Sequence, residues 1–195
     1  MTTTLPSKEA APTARQRILD TAYELFSRRG IRAVGIEEVI ARAAVAKATL
    51  YRHFPSKDEL VLAFLEQREQ LWTRQFVEAG ASERGTTAEE RLLAIFDVFH
   101  DWFQRDDFEG CSFMNVLLET ADRDHPVGAA SVHYLENIRT IVRGLAEEAD
   151  LRDPEAFALS WHILMKGAIV QAAEGDREAA KRAQAMAKLL LEQHR

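Results

Sequence analysis

The chain has 195 residues, 25 Lys and Arg against 31 Asp and Glu, and a formal net charge of −6. With 47% apolar and 29% charged residues, it reads as a globular protein rather than a disordered one. Its single cysteine, Cys111, excludes an intrachain disulfide and a thiolate-rich metal site. Uncharged apolar runs such as 61–65 are far short of a membrane span, and the N-terminal MTTTLPSKEAAPT has no apolar h-region. These features predict a cytoplasmic protein that engages no membrane. Taken as one number, the acidic charge argues against a nucleic-acid binder.

In chain order, residues 1–12 read as a flexible tail. Thr13-Ala-Arg-Gln16 matches a capping box, and Ile18, Ala22, Leu25 and Phe26 fall on one face of the helix it opens. Gly30 is the expected stop. Two short helices follow at about 36–43 and 47–53, separated by only a tight turn. Pro55 and the box Ser56-Lys-Asp-Glu59 then open longer helices, at roughly 57–79, 88–105, 112–121, 126–149, 154–174 and 176–193. Thr87-Ala-Glu-Glu90 starts the second and Asp153-Pro154 the fifth. Segments 80–86 and 105–110 read as loops. No sustained period-two alternation suggests a strand. The predicted class is all-α: a compact three-helix head at 13–57 and a helical body at 58–195.

A helix, a tight turn and a second short helix, braced by an earlier one, describe a helix-turn-helix. The second helix and its exit, 47–57, carry the matching chemistry. Ala46, Ala48 and Thr49 are small enough for close approach to a groove. Lys47 and Thr49 can hydrogen-bond base edges, and Tyr51, His53 and Lys57 can reach phosphates. Leu50 and Phe54, four apart, face the core. Arg28, Arg29 and Arg32 read as a solvated helix end.

Residues 13–60, above all TLYRHFPSKDEL at 49–60, resemble the DNA-binding domain of the TetR/AcrR family of bacterial transcriptional regulators. The body resembles the family in layout alone. The resemblance implies a homodimer on a palindromic double-stranded operator, released when a small-molecule effector binds the body. By position, Lys47, Ala48 and Thr49 match the base-reading face, and Tyr51, His53 and Lys57 the phosphate clamps. Ile36 and Glu37 match positions near the backbone or a base edge, and Thr13 and Arg15 the phosphate-touching start of the first helix. Gly35 and Ala46 depart from the family's Ser or Thr caps. Acidic Glu37 would repel phosphate but could accept from a cytosine amino group.

The helix near 154–174 carries two apolar stripes, Phe157, Trp161, Leu164, Met165, Ala168 and Ala172 on one side and Leu159, Ile163 and Val170 on the other. With Ala183, Met186 and Leu190 of the last helix, Phe157, Trp161, Leu164 and Ala168 are the expected dimer interface. Trp72, Trp102, Phe103, Phe113 and Met165, with His100 and His133 as polar partners, are the expected lining of a pocket for an apolar or aromatic effector. Cys111, near a helix start, reads as a buried inert thiol, with redox sensing as the alternative. Asp97-x-x-His100 and Asp122-x-x-His125 have the spacing of carboxylate–histidine metal pairs, but the second precedes Pro126 in a loop, so a helical metalloenzyme is a remote reading. No nucleophile elbow, P-loop or dinucleotide fingerprint occurs, and no enzyme activity, cofactor or metal is expected. A repressor is the leading reading; an activator or an effector-independent DNA binder shares the same head.

Split by part, the charge argues the other way. Residues 11–57 hold nine basic residues against four acidic, a net +5, while 58–195 carry −11. Only the head suits phosphates.

Overall fold

The computed structural model describes residues 12–195; the tail expected at 1–12 lies, but for Pro12, outside the described residues. Nine helices without a strand make up the described residues. The head comprises α1 (Ala14–Ala33), α2 (Ile36–Ala43) and α3 (Lys47–His53). The body begins with α4, which runs as Lys57–Arg68, passes through a π-helical stretch at Glu69–Glu78 and closes as Ala79–Arg84. It continues with α5 (Ala88–Phe103), α6 (Ser112–Thr120), α7 (Pro126–Glu148), α8 (Pro154–Ala173) and α9 (Ala179–His194).

Helix starts form where side-chain oxygens meet orphan amides. Thr13 Oγ1 accepts from Gln16 N, Ser56 Oγ from Glu59 N and Asp153 Oδ1 from Ala156 N, at 3.1–3.2 Å. Only Thr87 completes the reciprocal box, Glu90 Oε2 accepting from Thr87 N at 3.1 Å. The Thr86 hydroxyl and the neighbouring amides hold the Glu90 carboxyl down at about 2. At Thr13 and Ser56 only the hydroxyl half of the expected box forms.

The loop expected at 80–86 is instead helical to Arg84. Ala81 is buried against α5, and Ser82 Oγ donates to Glu78 O at 2.9 Å, so packing overrides the glycine at 80. The true stop is Gly85, where a Cβ would overlap the backbone of Glu90 and Arg91.

Gly30 does break α1. Its φ of 78° and ψ of 165° lie in a region only glycine adopts freely, and one further turn follows to Ala33. The break aims the Arg32 amide at the body, where it donates to Glu119 Oε2 of α6 at 2.7 Å. Helix α1 also packs on α4, so the head rests on the body through α4 and α6.

The core runs from head to body. Ile18, Leu25, Val39, Leu50 and Phe54 close the head, and Phe26 meets Phe64 of α4 edge-on at 5.6 Å. In the body, Phe96 and Phe99 of α5 lie among Trp72, Trp102, Phe103 and Trp161. By length and composition α8 alone among the described helices would suffice to cross a bilayer, but it packs against α5, α7 and α9 with Phe157 and Trp161 buried.

Candidate DNA-reading head and effector cavities

Helix α3 is held by its inner face. Leu50 is fully buried and Phe54 nearly so, and Ala44 makes the left-handed turn after α2, with φ of 51°. Arg17 Nε of α1 donates to Ala43 O at 3.4 Å, fastening the end of α2. These contacts leave Lys47, Ala48, Tyr51 and Arg52 exposed and Thr49, His53 and Lys57 half-buried. Neither α2 nor α3 has a side-chain cap, as Gly35 and Ala46 led us to expect, so both helices present free N-terminal amides.

Two candidates are already engaged. Lys47 Nζ lies 2.7 Å from Glu37 Oε1, and this hydrogen bond pushes the Lys47 ammonium above its ordinary value. Glu37 is thereby neutralised instead of facing a phosphate alone. The Arg15 guanidinium sits over the Phe54 ring, 5.2 Å from its centroid, which holds it beside the α3 exit. Ile36 is half-buried against the core and Thr13 caps α1. Among the described residues Arg52, His53 and Lys57 have no acidic partner. Arg52 was missing from the sequence-based set; its place three residues after Thr49, on an adjoining helical face, was the available signal. Arg28, Arg29 and Arg42 pair instead with Glu24 and Glu38.

In the body, two of the seven expected effector residues border one of the main cavities. Trp72 and Trp102, edge-to-face at 5.2 Å, flank a cavity of about 280 Å³ at the seam between head and body, together with Tyr23, Arg68, Phe76, Arg105, Asp107 and Glu109. Phe103 lies behind Trp102 in the core, Phe113 stacks on Tyr134, and Met165 is buried in α8. His133 is exposed, because the buried stripe of α7 at 131, 135, 138 and 142 puts position 133 on the opposite side. His100 is half-exposed, with a buried Nδ1 that has no partner. A second cavity of about 360 Å³ lies between α4, α5 and α7, walled by Val77, Ala81, Ile95, Ile141 and Leu145.

The two stripes of α8 divide. Phe157 and Trp161 are fully buried inside the chain itself, which removes them from the expected dimer interface, whereas Ala168, with Ala183 of α9, is nearly buried but lines a groove on the outward face. The outward stripe stays open: Ile163 is 70% exposed and Leu189 65%, alongside Leu159, Val170 and Met186. Half-buried Leu164 and Leu190 line grooves on that face. Cys111 is buried, and burial pushes its thiol up, away from the reactive thiolate. Asp97 binds Lys181 at 2.6 Å, and Asp122 Oδ1 accepts from the amides of Asp124 and His125.

Residues 18–64 match the family described as bacterial regulatory proteins, tetR family, and residues 88–187 match the tetracyclin repressor-like C-terminal domain. The second match alone spans just over half the chain. This chain belongs to the TetR family. The crystal structure of a TetR-family transcriptional regulator from Streptomyces coelicolor superposes with a TM-score of 0.85 at 32% identity, covering 93% of this chain and 95% of that one. The HTH-type transcriptional activator FasR of Mycolicibacterium smegmatis is 36% identical over 94 residues, 47% of this chain and 41% of FasR. The HTH-type transcriptional repressor KstR of Rhodococcus jostii is 37% identical over 101 residues, 51% of this chain and 45% of KstR. The chain thus aligns with less than half the length of either regulator. As a TetR-family protein it is a DNA-binding transcriptional regulator and not an enzyme.

Proposed function

We propose that this TetR-family regulator is a homodimeric, effector-responsive repressor of a pseudo-palindromic operator. The observation that carries the reading is α3 itself: buried Leu50 fixes a helix that offers Lys47, Ala48, Thr49 and Tyr51 outward. Unpaired Arg52, His53 and Lys57 follow at its exit, on a head of charge +5. In a duplex, Lys47, Ala48 and Thr49 read base edges, and Tyr51, His53 and Lys57 clamp phosphates, with Thr13, Arg15, Ile36 and Glu37 at the flanks. The exposed stripe of α8 and α9 pairs with its symmetry mate and sets the spacing of two heads. An effector in the body changes that spacing, and affinity falls because both heads must dock at once. An activator is the second reading, because FasR carries that description.

Anisotropy titrations on the DNA flanking the chain's own gene test the head. Tyr51→Ala and Lys57→Ala should weaken binding to every sequence, and Lys57→Ala should lower the salt slope of the dimer by about two, one for each protomer. Lys47→Ala and Thr49→Ala should change sequence preference instead. Wild-type binding by both Tyr51→Ala and Lys57→Ala would sink the docking. A reporter behind the same DNA separates repression from activation.

A further inference from the structure

The buried arginine at the head–body seam has no role in the DNA-reading head. Arg68 is 5% exposed, yet its contacts converge on one nitrogen: Nη1 donates to Tyr23 Oη of α1 at 2.9 Å and to Glu109 Oε1 at 3.0 Å. Its plane also lies against the rings of Tyr23 and Trp72, 5.7 and 6.0 Å from their centroids. Nε and Nη2 have no hydrogen-bond partner among the described residues. A guanidinium taken this far out of water ordinarily spends its whole fork. Here three of the five N–H donors are unspent, and the residue borders the 280 Å³ cavity.

We propose that the seam cavity is an effector site for a small aromatic carboxylate, held by Arg68. A planar carboxylate matches the free Nε–Nη2 edge in bidentate geometry. Trp72, Trp102 and Phe76 supply the aromatic wall for the ring. The volume, slightly below that of sites for drug-sized ligands, suits one or two rings. Two carboxylates already border the cavity, and they decide the consequence. Asp107 is held by Arg105 through two bonds of 2.7 Å, which leaves Glu109 as the group that a second anion on Arg68 repels. Tyr23 is the α1 partner of the same Nη1, so a guanidinium drawn toward a carboxylate on its Nε–Nη2 edge and away from Glu109 also pulls on the bond that ties α1 to the body. The inference rests on the effector-responsive reading above and gives that effector a chemistry and a place.

Titration of the full-length protein with benzoate and 1-naphthoate, followed by calorimetry and by quenching of Trp72 and Trp102 fluorescence, tests it. Saturable binding is expected, with the neutral amides of the same rings at least about tenfold weaker. Arg68→Lys keeps the charge and loses the fork, and should weaken the carboxylates about tenfold. Should Arg68→Lys melt early, Trp102→Leu provides an independent check, since it removes the wall and spares the fork. Gly144→Leu, which projects into the other cavity, should leave binding unchanged. Equal binding of acids and amides, or loss with Gly144→Leu but not with Arg68→Lys, would overturn the site. No binding of either acid would overturn it too, even if another compound releases the operator. Failure of the unliganded protein to bind operator DNA would instead sink the regulator reading, and calorimetry would still judge the cavity.

Discussion

Gly30→Ala puts a methyl group where the backbone and the body both resist it. At φ of 78° and ψ of 165° an alanine carries strain of roughly 1–3 kcal/mol, because that region is open essentially to glycine alone. The new Cβ would also sit 2.8 Å from Cδ of Glu119, inside van der Waals contact. The carboxylate must then retreat and release the Arg32 amide, which it accepts at 2.7 Å. That hydrogen bond to a charged acceptor is solvent-exposed, so its loss adds only about 1 kcal/mol. The sum is roughly 2–4 kcal/mol, a large share of the stability of an ordinary domain. Urea unfolding at one fixed protein concentration measures it, since association shifts the midpoint. In a Glu119→Ala background the clash and the bond are both absent, and Gly30→Ala should cost about 1 kcal/mol less, leaving the backbone strain. A loss below about 1 kcal/mol in the wild-type background, or identical costs in both, would refute the reasoning.

Acid should destabilise the protein through His162. Burial, with Lys166 and Arg139 adding to it, pushes its imidazole from 6.5 down to about 3, so the unfolded chain takes up the proton first. The neutral histidine is fully tolerated above the ordinary value, and stability falls as pH drops below it. At pH 5 the cost is roughly 2 kcal/mol, and His162→Leu should show a correspondingly smaller drop between pH 7 and pH 5 in urea titrations. An equal drop in both proteins would rule His162 out. On the proposed dimer face, Ile163→Glu with Leu189→Glu should give monomers in sedimentation and reduce operator affinity at least about a hundredfold, because one head alone must then bind. Unchanged dimers would place the interface elsewhere.

How much of the site was legible depends on what held each residue. Local chemistry was readable: Thr87 and Glu90 cap as their spacing requires, Leu50 and Phe54 point inward, and Gly30 breaks its helix. The segment GASER was misread because glycine, serine and charge suggest a loop, whereas burial of Ala81 against α5 keeps it helical. Trp72 and Trp102 border a common cavity, whereas Phe103, Phe113 and Met165 look the same in a sequence and fill core. Nothing in composition separates a wall from a filling.

By itself the sequence determined the helices, the head with its outward α3, and the division of charge between a basic head and an acidic body. These follow from short-range spacing, caps and the identity of side chains, and packing altered them only locally, as at 79–84. Tertiary structure alone decided which stripe of α8 is buried, where Glu37 finds Lys47, and that Tyr23, Arg68 and Glu109 meet at one nitrogen across 86 positions of chain. Both stripes of α8 are apolar, and only the placement of α5, α7 and α9 chooses between them. The seam cavity likewise exists only once α1 is laid against α4, because its charged and aromatic walls come from separate elements.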